Sequence, residues 1–350
     1  MTLPLSILDL APVVSGSSGV QALQNSLELA RLADHLGYHR HWVAEHHNMA
    51  GVASSSPEIL IAALARETRR IRVGSGGIML PNHSPLKVAE QFKTLEALFP
   101  GRIDLGLGRA PGTDQRTALA LRRIPERLGA DDFPEQIEEL LAFAGEGPFP
   151  SDRPFQGIQA YPADVPLPPI YLLGSSTYGA RLAAELGRPY AFAYHFSPQA
   201  LVPAMQTYHQ HFQPSRHLQE PYGILTVAVI CADSREEAEE LALPLDLLRV
   251  RLSQGISKPF PTVEEARAYP YTERDRQLIQ MYRHSLVLGS PQEVKAELLQ
   301  LAEQVKAREL ILSTTVPGQK ERLRSYQLIA EAFGLQGAKM APEGQLHSPR

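Results

Sequence analysis

Short apolar runs alternate along the chain with longer stretches whose apolar residues recur every three or four positions. That is the pattern of parallel strands covered on both faces alternating with amphipathic helices. Eight runs predict strands: "LSILDLAP" (5–12), "RHWVAEHH" (40–47), "IRVGSGGIML" (71–80), "RIDLGLGRA" (102–110), "PIYLLGSS" (169–176), "YAFAYHF" (190–196), "YGILTVAVICAD" (222–233) and "RELILSTTV" (308–316). Helical spacing is clearest over 20–36, 57–69, 84–98, 178–186, 199–212, 291–306 and 319–333. In "SSPEILIAALARE", serines precede Pro57 at a first-turn position and Glu58 sits near the positive helix end, while "ADHLGYHR" stops at Gly37, as a C-terminal cap would. Eight strands with eight crossovers predict a closed (β/α)8 barrel, a TIM barrel, rather than an open sheet.

Two stretches break this rhythm: Asp131 to Pro168, rich in proline, and about Leu243 to His284. Connections of that length are lids, binding loops or extra helices. Neither a composition shift nor a repeat marks a second domain, so a single barrel domain is expected over residues 1–335, with a poorly ordered polar tail over 336–350.

Composition changes this picture little. Of 350 residues, 43% are hydrophobic and 21% charged, enough for a sizeable core. A net charge of −4 offers no positive field for nucleic acid or an anionic membrane. The one cysteine, Cys231, excludes an internal disulfide and a multi-cysteine zinc cluster, and its apolar surroundings predict a buried, inert thiol. The start of the chain lacks the features of a signal peptide and no run approaches the roughly 18 apolar residues of a membrane helix, so a cytoplasmic location is expected.

A barrel of this kind builds its site from the residues just past each strand. Those positions are polar: Asp9, Glu45-His46-His47, "PNH" with His83, "GLGRAPG" with Arg109, "GSST", and His195. Adjacent strand residues point to opposite faces, so His46 and His47 do not make a metal pair, and no metal ligands are expected. His39, His41 and His47 read as structural histidines. "GSSTYGARLAAE" opens a helix with small residues and hydroxyls where backbone N–H groups are unbonded, which suits a phosphate; Ser175, Ser176 and Gly179 are its expected contacts and Thr177 a helix cap. Arg109 suits a phosphate or the polar edge of a heteroaromatic ring, the plainer alternative being an ion pair with Asp104, Asp114 or Glu45. Gly74, Gly76 and Gly77 within a strand pattern suggest a bulge, unusual backbone geometry or a flat ligand against the main chain. Tyr161, Phe196, Phe260 and Tyr271 are aromatic positions that either line the pocket or pack the insertions.

Together, "ADHLGYHRHWVAEHHN", "IRVGSGGIMLPNHSPLKVAEQFKTLEALFPGRIDLGLGRAPGTD" and "YLLGSSTYGARLAAELGRPYAFAYHF" resemble the bacterial luciferase-like flavin monooxygenase superfamily, and most closely its single-component-type subgroup of unassigned substrate. The resemblance runs from residue 3 to about 335. It implies a barrel holding reduced FMN at its C-terminal strand ends, supplied by a separate flavin reductase, with one atom of O2 passed to a small organic substrate. It implies that His46 assists proton transfer, that Arg109 contacts the cofactor, and that Ser175 or Ser176 meets the phosphate. Gly76-Gly77 falls where the family places a non-proline cis peptide beneath the flavin ring. A homodimer is implied as well. The luciferase cysteine beside the arginine is Gly108 here, so light emission is not implied. A deazaflavin- or FMN-dependent reductase or dehydrogenase, a non-catalytic flavin-binding protein and a metal-dependent barrel hydrolase are the alternatives.

Overall fold

The structure, a computed structural model, describes residues 3–122, 132–151 and 153–337. In chain order the elements are β1 (Leu5–Asp9), α1 (Gly19–Leu36), β2 (Arg40–Val43), α2 (Pro57–Glu67), β3 (Arg72–Ser75), β4 (Ile78–Met79), α3 (Pro85–Leu98), β5 (Ile103–Gly108), α4 (Gln115–Arg122) and α5 (Phe133–Phe143). There follow β6 (Ile170–Gly174), α6 (Thr177–Glu185), β7 (Tyr190–Ala193), α7 (Leu201–His211), β8 (Gly223–Cys231), α8 (Arg235–Ser253), α9 (Val263–Ala268), α10 (Glu273–Arg283), β9 (Leu286–Gly289), α11 (Pro291–Gln304), β10 (Glu309–Ser313) and α12 (Gln319–Phe333).

All strand pairs of the sheet are parallel. The order β10-β1-β2-β3-β5-β6-β7-β8 closes through β8 and β10, giving an eight-stranded barrel. The helix ends follow local chemistry. Ser18 caps α1 by accepting from the Gln21 N–H, and Gly37 ends it in the left-handed conformation at φ 87°.

Three features differ from the expected elements. The strand expected over 71–80 is divided into β3 and β4 by a cis peptide at Gly76-Gly77. There β5 comes so close that a Cβ on Gly106 would lie 2.1 Å from the Ser75 carbonyl oxygen, and one on Gly77 would lie 2.7 Å from the Gly106 oxygen. A ninth pairing position, β9, joins the outer half of β8 from Ala228 to Cys231. The insertion expected to begin at Leu243 begins inside α8, which continues through the buried Pro244 despite the helix N–H that proline lacks. Between residues 132 and 168, α5 packs its Phe133, Ile137 and Leu140 into the core. Asp131 itself, and the expected tail beyond Gly337, lie outside the described residues; Gln336 and Gly337 rest on the end of α1. Cys231 is buried and free, as expected, and burial pushes its thiol up to about 12. Among the described residues no helix is long and apolar enough to cross a membrane.

Alternation along the strands stacks the barrel interior in layers. At the N-terminal end lies an ionic layer. Arg40 donates to both oxygens of Glu309, at 2.7 and 3.0 Å, and to Asp104 Oδ2 and the Tyr171 hydroxyl at 2.8 Å each. Arg72 donates to Asp104 Oδ1 at 2.6 Å, Trp42 Nε1 to Asp104 Oδ2 at 3.0 Å, and the Ser6 and Tyr222 hydroxyls to Glu309 at 2.5 and 2.8 Å. Above it an apolar layer of Leu8, Trp42, Ala191, Ile224 and Ile311 plugs the barrel.

Removing one partner of a buried ionic set leaves the others charged and desolvated. Arg40→Met is expected to cost about 3–5 kcal/mol in urea unfolding, while Arg308→Ala, which breaks only the exposed pair with Glu220, should cost about 1 kcal/mol or less.

Candidate active site

Above the apolar layer, at the C-terminal strand ends, is a cavity of about 1600 Å3. Its floor includes Leu8, Ala44, Gly76, Leu173, Ala191 and Thr226, so the residues continuing the strand alternation become the base of the site. Its rim comes from loops bound to one another. Asn48 donates to Thr117 and Asp114 at 3.0 and 3.2 Å, the His47 N–H to the Gly112 carbonyl at 3.2 Å, and the Ala50 N–H to Ser257 Oγ at 3.2 Å.

Glu45 joins these loops from a fully buried position. Its Oε1 meets His47 Nε2 at 2.8 Å and His83 Nε2 at 2.9 Å, and its Oε2 accepts from the Met79 N–H at 2.8 Å. Burial alone would raise this carboxyl; the bonds from His83, His47 and Met79 outweigh it and hold Glu45 below the usual carboxylate range. Burial likewise opposes the charge on His83, but the adjoining carboxylate wins and raises it. Gly112, at φ 64°, passes close beneath this hub, where a Cβ would stand 2.7 Å from the Glu45 carbonyl oxygen.

His46 follows directly and lines the cavity. Its N–H is held by the Ser54 carbonyl at 3.0 Å, and its Nδ1 is buried with no hydrogen-bond partner among the described residues. With Nδ1 sealed, Nε2 is the nitrogen the ring can offer to the cavity. Burial pushes its pKa below the ordinary imidazole value, Glu45 opposing and His47 assisting. Its surroundings therefore favour the uncharged ring.

Ser175, Ser176 and Gly179 line the cavity with Arg109. The helix cap is Ser176 rather than Thr177, because Ser176 keeps the extended conformation (φ −148°) that turns the chain into α6, while Thr177 is already helical. The Ser176 hydroxyl makes no capping bond to its own helix, and the first-turn N–H groups of α6 have no intrahelical acceptor. Arg109 lies over the Tyr178 ring at 4.3 Å.

Gly76 lines the cavity, whereas Gly77 faces β5. Of the four aromatic positions only Phe196 is in the lining; Tyr161 is exposed and Phe260 is buried beneath the rim. Among the described residues no three His, Cys, Asp or Glu side chains converge as a metal site requires. The sequence reading missed Tyr178, the Arg116–Leu121 face of α4 and the Leu252–Ser257 rim. Tyr178 had a signal, standing beside the phosphate-type turn; the others come from connections whose path no local pattern sets.

A family model described as luciferase-like monooxygenase matches residues 4–308. A luciferase-like monooxygenase of Escherichia coli (strain K12) is 42% identical over 93% of this chain and 96% of its own length. An N-acetyl-S-alkylcysteine monooxygenase of Bacillus subtilis (strain 168) is 37% identical, over 94% of this chain and 97% of its own. The apo-MsnO8 crystal structure superposes with a TM-score of 0.86 at 40% identity, covering 96% of this chain and 99% of that one. An FMN complex of a 3,6-diketocamphane monooxygenase component (TM-score 0.70, 19% identity) and an F420-dependent secondary alcohol dehydrogenase (0.63, 15%) share the fold.

Because the folded state raises the His83 pKa, the His83–Glu45 contact stabilises fully below the ordinary imidazole value and is lost as pH rises through the raised one. His83→Gln is therefore expected to lower the thermal midpoint more at pH 6 than at pH 9; equal losses at both would contradict the charged contact.

Proposed function

Since this chain belongs to the luciferase-like monooxygenase family, we propose that it is a flavin-dependent monooxygenase using reduced FMN and O2 on a small organic substrate, with residues 1–335 acting as one catalytic domain. One observation carries the reading: a single cavity joins an uncommitted helix N-terminus to a buried histidine whose Nδ1 has no partner among the described residues. Its volume of about 1600 Å3 exceeds the roughly 300–1,000 Å3 usual for one ligand, leaving room for a substrate beside a cofactor.

The residues fit FMN. The α6 N–H groups and the Ser175 and Ser176 hydroxyls would take the phosphate, helped by the positive helix end and by Arg109. Gly76 gives a wall without a side chain. Reduced FMN supplies the two electrons that, with two protons, convert one atom of O2 to water while the other enters the substrate. A separate reductase would deliver it. His46 would accept a proton through Nε2 and then return it, the uncharged ring that burial favours being the form that can take one. The Glu45 hub keeps that ring in place by fixing the backbone on both sides of it. A sulfide of the N-acetyl-S-alkylcysteine type is the first substrate to assay, given the relative that acts on such compounds.

His46→Ala is expected to leave the FMN dissociation constant within about threefold and lower turnover by about 10²–10⁴. Ser176→Asp, which sets like charges together, should weaken FMN by about tenfold or more, roughly 1.4 kcal/mol. Fluorescence titration with FMN and with a deazaflavin, followed by product analysis, reads both variants. Preference of the wild-type protein for the deazaflavin would replace this reading with a hydride-transferring dehydrogenase.

A further inference from the structure

One buried group of the cavity has no task in this scheme. His195 stands two residues past β7, and β7 is four strands from β2 in either direction round the barrel, so His195 and His46 project from opposite walls. The His195 ring packs on Phe196 with centroids 4.2 Å apart and lines the cavity, while its Nδ1 is buried with no hydrogen-bond partner among the described residues.

Behind the ring is a second void of about 10 Å3, walled by His195, Asp246, Arg249, Tyr282 and Arg283. The charges there are unevenly paired. Asp246 is held by both arms of Arg283, at 2.8 and 2.7 Å, and Arg283 also reaches Glu239 at 3.0 Å. Arg249 rests on the face of Tyr282 at 4.9 Å and, among the described residues, pairs with no carboxylate. A guanidinium without a counter-ion therefore lies behind the imidazole. A second positive charge on the ring would be repelled, and burial disfavours it further. Burial first, then Arg249, bring the His195 pKa down to about 4, the Thr226 backbone opposing them and His46 adding least.

We propose that His195 is a ligand-facing residue that offers an uncharged imidazole to a polar group of the organic substrate, on the wall opposite His46, and that Arg249, from the inserted helix α8, is the positioning residue that keeps it uncharged. The field of Arg249 selects substrates whose polar group is neutral or anionic over cationic amines. This assignment rests on the reading of the cavity as the ligand site.

The first test is a ring-resolved NMR titration of the histidines in the ligand-free protein. One histidine is expected to titrate far below the rest, to vanish in His195→Gln, and to rise by roughly one unit or more in Arg249→Met. Arg249→Lys, which restores the charge, should return it toward the wild-type value. An unmoved titration in Arg249→Met overturns the positioning role. The second test follows the oxidation of bound reduced FMN in aerated buffer by absorbance between pH 5 and 8, which needs no organic substrate. Arg249→Met should add a pH dependence to this rate that the double variant Arg249→Met/His195→Gln lacks. The same added dependence in the double variant overturns the role of His195. Failure of the wild-type protein to bind FMN would defeat the cofactor reading instead, with the titration still deciding the Arg249–His195 pair.

Discussion

The barrel is organised around one buried guanidinium. Arg40 reaches across the N-terminal end of the ring to Glu309 on β10 and Asp104 on β5, while Arg72 takes the other oxygen of Asp104. Two arginines thus meet two carboxylates, and the leftover lone pairs are filled by Ser6, Trp42 and Tyr222. Such a set is tolerable away from water only when every member is satisfied, so it constrains which strands may be neighbours as well as holding them. Its second effect is to fill one end of the barrel. With ions below and Trp42, Ile224 and Ile311 above them, the large cavity among the described residues opens at the C-terminal strand ends.

The two ends of the barrel handle polarity differently. The floor matches charge with charge, whereas the site buries His46 and His195, in surroundings that favour their uncharged rings, around a large open volume. The compensation is placed behind them. Glu45 spends its carboxylate on His47, His83 and the Met79 backbone, which fixes the loop carrying His46 without putting a negative charge in the cavity. Arg249 stands in a corresponding place behind His195. The cavity histidines are therefore flanked by charged groups that do not themselves line the cavity.

Much of this was legible in the chain. Eight apolar runs with helices between them specified a parallel barrel, because strand and helix periods are local properties of neighbouring residues. The same reasoning pointed to the polar positions past the strand ends, with Arg109, Ser175 and Ser176 among them and Gly179 in the first turn of the following helix, while the family resemblance singled out His46. It failed where the outcome depends on distant partners: β9 pairs with the part of β8 that extends past β10, and α8 runs on through Pro244 into the segment expected as an insertion.

The sequence by itself determined the architecture and the end of the barrel where chemistry is possible, since strand direction and alternation fix which residues face inward and which follow the strand ends. Only the tertiary structure decided how those residues divide the work. Whether a histidine is charged, and whether a carboxylate is a support or a reactant, depends on desolvation and on charges contributed from elsewhere in the chain. Glu45 depends on His83, thirty-eight residues away, and His195 on Arg249 in another helix; no local pattern specifies either pairing.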